Sequence, residues 1–417
     1  MPKIDLKNNL LLILFSIIPV SIILGPVISV INIFFLIISF LFYYRNKNLL
    51  DLLKDKVVIL LIIINLYLLF NSFVSIDYTI GLVRNLGFFR FILLFFTINY
   101  LFSNNKKTDI AFNFWLLVSL IVMIDVFIEF FVGKNILGYS QSYSCETCAR
   151  IVSFFKDEPI VGGYLNGIIF VIFGFLFSNF DKKKKNKKFY IFLFILIFFL
   201  CMLITGERSN TIKFILGLVV FMSLNPFIKF KFKLISLIVV ILVCISAYLS
   251  SDKIKLRYGG QLINLIDSKE KRDLYLKENT YLNLYRSGIE VFKKYPIKGV
   301  GNKNYRIETC GYGSNPKYFF NTHPHQIYIE FLSEHGLAGS LLFLSVIFFL
   351  IFKNFRVMIV SKNSIQLGSF CFLLINFIPI LPSGSFFTDF NATFFWLNFS
   401  IFYASNSKTN IFSKQGD

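Results

Sequence analysis

Charge is scarce in this chain. Asp, Glu, Lys and Arg make up 16% of its 417 residues, against about 25% in an ordinary soluble domain. That shortfall argues against a water-soluble fold, whose surface must be largely polar. Histidine is scarcer still, with three in the whole chain, His323, His325 and His335. His323 and His325 have no third His or Cys at ligand spacing, so no metal site is expected. No glycine-rich nucleotide loop is present, since Gly299-Val300-Gly301 is too little to read as one. The basic start and apolar run of MPKIDLKNNLLLILFSIIPVSIILG are not followed by a small-residue cleavage site. That segment is therefore expected to be retained as a first helix.

What replaces charge is apolar length. Hydrophobic residues make up 56% of the chain, 55 of them phenylalanine, and the mean hydropathy is +0.67. They fall in runs of about 20, the length that spans a bilayer as a helix. Twelve runs are predicted as spans: Leu10–Leu24, Val27–Tyr44, Val57–Val74, Leu82–Phe102, Ile110–Val132, Val161–Phe180, Phe189–Thr205, Thr211–Leu224, Leu234–Ser250, Gly336–Phe352, Ile365–Pro382 and Ala392–Ala404. Pro19, Pro26 and Pro379 are expected at ends or kinks. The fold class is thus an all-α polytopic membrane protein. It divides into a nine-span bundle over residues 1–250, a large loop over 251–335 and a three-span bundle with a tail over 336–417.

The net charge of +20 does not point to nucleic acid, because the basic residues sit in short clusters between apolar runs. Basic loops at residues 45–56, 104–107, 182–188, 229–233 and 353–356 alternate with charge-poor connections. Every second loop is basic, which places those loops and both termini in the cytoplasm and the 251–335 loop outside. Lys182–Lys188 is read as a topology signal that also attracts anionic lipid. Within the loop, Thr280–Lys294 puts Leu282, Tyr285, Ile289 and Phe292 on one stripe, predicting an amphipathic helix that Pro296 ends.

The polar stretch Tyr295–Ser340 holds all three histidines and is the first place to look for chemistry. His325, at a loop–helix junction, is a candidate base near neutral pH, and His323 stands two residues away. His335 reads as a helix-start residue. Arg208, at the outer end of the seventh span, is a candidate phosphate clamp or an interface anchor. Arg150 and Arg286 are loop arginines whose plain reading is a solvated or paired charge. Arg84, Arg90, Asp125 and Glu129 fall inside spans and are expected to pair, arginine with carboxylate, in the bundle interior. Cys201, Cys244 and Cys371 read as packing residues. One disulfide among Cys145, Cys148 and Cys310 is plausible if the outer side is oxidising.

The pieces Tyr285-Arg-Ser-Gly-Ile-Glu-Val-Phe-Lys-Lys-Tyr-Pro-Ile-Lys-Gly-Val-Gly301 and Thr322-His-Pro-His-Gln-Ile-Tyr-Ile-Glu-Phe-Leu-Ser-Glu-His-Gly-Leu-Ala-Gly339 resemble the signature of the O-antigen ligase and O-antigen polymerase superfamily. The family's His-[Asn/Ser/Gln]-x9-Gly-x-x-Gly pattern is met by His325, Gln326, Gly336 and Gly339. The twelve-span layout, the Ser153–Gly163 segment and Gly206-Glu-Arg-Ser209 are similar to family patterns as well.

The resemblance implies a metal-independent, inverting glycosyltransferase without cofactor in the bacterial inner membrane. Its donor would be an undecaprenyl-pyrophosphate-linked glycan. Its acceptor would be lipid A–core for a ligase, or another lipid-linked repeat for a polymerase. The implied roles are His325 as catalytic base, with His323, Gln326, Glu330 and Glu334 in support. Arg208, then Arg286, then Arg150 would bind the pyrophosphate. Family members often carry an arginine shortly before the aromatic of the loop helix; this chain reads Thr280-Tyr-Leu-Asn-Leu-Tyr285, with Arg286 next. A lipid-linked-sugar transporter is a competing reading, but it wants paired broken helices around a midplane site, and no such pair is visible.

Overall fold

The computed structural model describes residues 6–45, 49–105, 107–140, 150–178, 185–259, 268–311 and 315–413. Helix starts follow from local chemistry. Asp55 accepts the Val57 N–H at 2.7 Å and Asp77 the Thr79 N–H at 2.9 Å, capping Lys56–Phe73 and Tyr78–Phe88. Pro19 and Pro26 occupy the first turns of Ile18–Ile23 and Pro26–Tyr44, where a missing N–H costs nothing.

Every run predicted as a span contains helix, though the run expected over Ile365–Pro382 leaves the helix after Asn376, ahead of Pro379, and the described residues contain no strand. Seven helices are long and apolar enough to cross a bilayer: Pro26–Tyr44, Lys56–Phe73, Tyr78–Asn104, Thr108–Val132, Val161–Ser178, Phe230–Ser250 and Ile327–Ser361. The other five expected runs are shorter. The first is split into Leu6–Ser16 and Ile18–Ile23 at the turn before Pro19. Phe189–Ile204 is a shorter apolar helix. Arg208–Leu224, Ser364–Asn376 and Asp389–Ala404 have 17, 13 and 16 residues.

Val161–Ser178 is the most enclosed of the long helices, with Ser364–Asn376 laid along it. Gly174 and Gly368 allow that approach, since a Cβ at either would strike the partner's backbone. Buried amides bridge helices: Asn398 donates to the Gly167 carbonyl (2.8 Å), Gln366 to Phe402 (2.9 Å) and Asn32 to Leu14 (3.2 Å). In lipid such groups find no water, so internal partners are obligatory. Phe34, Phe35, Ile38 and Phe42 are more than half exposed along one helix, as a lipid-facing surface requires.

Two expectations are corrected. Among the described residues neither Asp125 nor Glu129 forms a salt bridge with arginine. Glu129 accepts the Val152 and Ser153 N–H groups at 3.1 and 2.6 Å, and Asp125 accepts the Ile136 N–H at 2.9 Å and the Ser153 hydroxyl at 2.6 Å. The chain returning after Thr108–Val132 lays its unpaired backbone donors over the helix end, and the two carboxylates satisfy them. Arg90 does pair, with Asp389.

Thr280–Lys294 is a helix at the expected bounds, capped by Asn279. Its buried face is Leu284, Ser287, Gly288 and Val291, not the predicted stripe, of which Ile289 is exposed. The helix packs on Ile327–Lys353, and small residues give the closer seat.

Candidate active site

The site is built on a broken helix. Ile327–Lys353 runs two and a half turns to His335 and breaks at Gly336, whose backbone is left-handed (φ 63°, ψ −172°). The break frees backbone groups, and the loop after Pro296 takes them up. Val300 and Gly301 donate to the Ser333 and Glu334 carbonyls (2.9 and 2.8 Å), while Leu337 and Ala338 donate to Pro296 and Ile297 (2.8 and 3.2 Å).

A Cβ at Gly336 would strike the Ile297 carbonyl, and one at Gly299 (φ 69°) would strike the Glu334 carbonyl. Gly339 faces the Tyr67 hydroxyl with no room for a side chain. Gly336→Ala is therefore expected to destabilise the protein by about 1–3 kcal/mol or more. The measurement is thermal unfolding in detergent, and an unchanged melting temperature would show that the break is not rigid.

Gln326 caps this helix, its side-chain oxygen accepting the Ile329 N–H at 2.8 Å. His325, one residue earlier, has φ 55°, a left-handed conformation uncommon for a residue with a side chain and enriched at functional sites. Its carbonyl accepts the Ser383 N–H at 2.9 Å, and Pro324 seats against Gly288 of the Thr280–Lys294 helix. Two helices and the 377–388 segment therefore hold the imidazole.

Tyr281 meets the His325 ring edge-on at 5.8 Å, and the His323 ring lies 3.9 Å away. Burial holds the His325 imidazole below its ordinary pKa, with a backbone hydrogen bond to Ser383 pulling the other way. Burial, His325 and the charges of Arg306 and Arg84 together push His323 down to about 3. Both rings are thus neutral near pH 7.

The structure gathers cations in two groups. In the first, Arg208 Nη1 donates to the Arg257 carbonyl at 3.1 Å, and Arg257 Nε donates to the Gly206 carbonyl at 2.8 Å. These two bonds tie the segment of Arg208 to that of Arg257. Arg150 comes from a third segment, anchored where the Ile151 N–H meets the Thr205 carbonyl at 3.0 Å. Burial, then the charges of Arg208 and Arg150, bring Arg257 down to about 10. Glu207 is buried behind them, with its carboxylate on the Gly162 N–H (2.5 Å) and the Asn210 amide (2.6 Å). Tyr281 lies within electrostatic reach of both Arg208 and Arg257, and so connects this group to His325.

The second group is Arg84, Lys303 and Arg306, whose charges act on one another and, for the two arginines, on His323.

The sequence-derived candidates divide accordingly. Arg208 and Arg150 fall in one cluster. Arg286 does not join it: the side chain is exposed and bonded to Asn283 at 3.2 Å. Arg286→Ala is expected to change transfer by less than about threefold, as an exposed charge contributes little; a loss of tenfold or more in reconstituted turnover would reinstate it.

Glu330 and Glu334 are fully buried. Glu330 takes the Ser385 hydroxyl and the Phe386 N–H (2.9 Å), and Glu334 takes the Tyr305 N–H (3.3 Å). Both tie loops to the broken helix. His335 does not start a helix but closes the first segment, buried with its Nδ1 at 3.2 Å from the Tyr67 hydroxyl.

Arg257 and Tyr281 escape the sequence reading. Arg257 shares the signal that marks Arg208, an arginine just beyond an apolar run, here Phe230–Ser250. Cys310 is exposed, and Cys145 and Cys148 lie outside the described residues, as does the disulfide expectation. Among the described residues no group of three or more His, Cys, Asp or Glu is placed to hold a metal ion.

The family model described as O-Antigen ligase (Wzy_C) matches residues 192–344. That stretch contains Arg208, Arg257, Tyr281, His323, His325, Gly336 and Gly339, while Arg150, Arg84 and Ser383 lie outside it. No curated protein matches the chain.

Proposed function

We propose that this chain, which matches the O-antigen ligase family over residues 192–344, moves a glycan from a lipid diphosphate to a sugar hydroxyl. The observation that carries this reading is the His325 imidazole against Tyr281, which in turn lies near Arg208 and Arg257, the two arginines tied together by backbone hydrogen bonds. Glycosyl transfer from a diphosphate asks for a base toward the acceptor hydroxyl and for fixed positive charge toward the leaving group.

In this scheme His325 accepts the proton of the attacking hydroxyl. The oxygen forms a bond to the anomeric carbon as the bond from that carbon to the diphosphate oxygen breaks. The electron pair leaves with the lipid diphosphate, whose growing charge meets Arg208, Arg257 and Arg150. Attack opposite the leaving group inverts the anomeric centre, and the proton passes from His325 to solvent. The residues named need no metal ion for this step.

The membrane setting follows from the loop charges. Counting the five shorter apolar runs as crossings beside the seven long helices, and placing both termini in the cytoplasm, puts the histidine loop on the far side, which for a bacterial inner membrane is the periplasmic face. There an undecaprenyl-pyrophosphate-linked glycan is the donor and lipid A–core the acceptor. The test is purified protein in liposomes with that donor and two acceptors. Consumption of lipid A–core supports the ligase. A ladder of chains on the carrier lipid would replace it with a polymerase, and movement of the donor across the bilayer without product would replace both with a transporter.

A further inference from the structure

Residues 377–388, which join Ser364–Asn376 to Asp389–Ala404, form a strap beside the histidines. Both ends of the strap are fastened to the helix that begins at Ile327. The Tyr328 hydroxyl donates to the Phe377 carbonyl at 2.7 Å, and Glu330 accepts the Ser385 hydroxyl and, at 2.9 Å, the Phe386 N–H. Between these fastenings runs Ile378-Pro-Ile-Leu-Pro382, in which two prolines remove two backbone donors.

The middle residue of that stretch is strained. Ile380 has φ 76°, a left-handed conformation in which a β-branched residue is an outlier. Ile380 is also 81% exposed, so packing of its own side chain does not impose that backbone. Strain of this kind persists only where the surroundings over-determine it. The group that meets it is Tyr285, whose hydroxyl donates to the Ile380 carbonyl at 3.1 Å. Tyr285 stands on the Thr280–Lys294 helix, one turn after Tyr281.

Three residues beyond Ile380 the strap reaches the candidate base. The Ser383 N–H donates to the His325 carbonyl at 2.9 Å, and the Ser383 backbone also acts on the His325 and His323 rings. His325 is itself left-handed (φ 55°). A tyrosine thus holds one strained residue of the strap, and the strap in turn holds the strained histidine.

Resting on the function proposed above, we infer that Tyr285 is a positioning residue for His325. Its hydroxyl keeps the strap in the strained conformation from which Ser383 orients the base.

The experiment compares the full chain with Y285F, I380N and the double variant. Asparagine tolerates the left-handed backbone, so I380N removes the strain that the Tyr285 hydroxyl opposes. Transfer is measured in liposomes with the donor and acceptors given above. Hydrogen–deuterium exchange over residues 377–386 is measured on the same samples. Y285F is expected to lower kcat by about fivefold and to speed exchange by a similar factor, as for loss of one hydrogen bond. The KM values of donor and acceptor are expected to stay unchanged, because the hydroxyl acts on the base and on neither substrate. In the double variant most of the lost kcat and protection is expected to return, a coupling that independent sites do not show.

Wild-type kcat and exchange in Y285F overturn the inference and leave the function standing. So does a loss of equal size with and without I380N, or a rise in KM, either of which would give Tyr285 a different role. Absence of transfer by wild type overturns the function itself. Should Y285F fail to insert, I380N alone decides: slower exchange over residues 377–386 with kcat retained supports the strained strap, and unchanged or faster exchange overturns it.

Discussion

Replacing His325 with asparagine is expected to lower glycan transfer by about 10²–10⁴-fold, the range for loss of a positioned general base. Asparagine is the informative substitute because it tolerates the left-handed backbone that His325 adopts (φ 55°). Alanine adds a strain penalty of about 1 kcal/mol and confuses folding with chemistry. The expected result is a protein that inserts and melts as wild type, binds donor and does not turn over. Retention of transfer within a few-fold would remove the base assignment.

The pH dependence carries a second check on the same residue. Burial depresses the His325 pKa, so the neutral, base-competent form dominates at pH 7 and is lost only as pH falls through a value below the ordinary 6.5 or so. The acid limb of kcat/KM is therefore expected below that value, and it should vanish in the His325→Asn variant. A limb above it, or one that survives the substitution, points to a different group.

The helices are legible in the sequence because a bilayer imposes a length that few other environments demand. All twelve apolar runs contain helix, although the run expected over Ile365–Pro382 is helical only over Ser364–Asn376 and the first is split in two. What cannot be read from apolar length is where a run is interrupted. Gly336 has helix on both sides of it yet kinks the backbone, and the loop of Pro296–Gly301, folded against it, takes up the backbone groups that the break frees.

The same loop gives the motif spacing a physical meaning. Nine residues between Gln326 and Gly336 make two and a half turns, about 13.5 Å of helix. The helix is capped at one end by Gln326 and clamped at the other by Val300 and Gly301. Glu330 and Glu334, one turn apart, fasten the 385–386 and 305 backbones to it. The motif is as much a scaffold for His325 as a list of reacting groups.

The charged groups are harder to read for a related reason. Arg208 stands out because it ends an apolar run. Its partner Arg257 lies 49 residues away, just beyond another apolar run, and only hydrogen bonds to the Arg257 and Gly206 carbonyls show that the two segments meet. Arg84 likewise reads as a buried charge in search of a carboxylate, and its charge does act on the buried Glu334 and Glu330 as well as on Lys303 and Arg306. Pair rules between opposite charges find structural salt bridges such as Arg90 with Asp389.

That reasoning bears on the second large effect. Arg208→Lys is expected to reduce kcat by about 10²–10³-fold, as for removal of one fixed donor to a developing anion, because an ammonium cannot reproduce the bidentate fork. Arg257→Gln is expected to do the same. The double variant should lose much less than the product of the two, since each guanidinium is positioned by the other's backbone segment and they act as a unit.

A purely structural role would look different. Lowered kcat would then follow lowered melting temperature, and inhibition by inorganic diphosphate would be unchanged. If the arginines hold the leaving group, diphosphate inhibition weakens in each variant while melting stays near wild type. Full additivity of the two losses would separate the pair, leaving Arg208 as an interface anchor and Arg257 as the diphosphate ligand, or the reverse, according to which single variant loses inhibition.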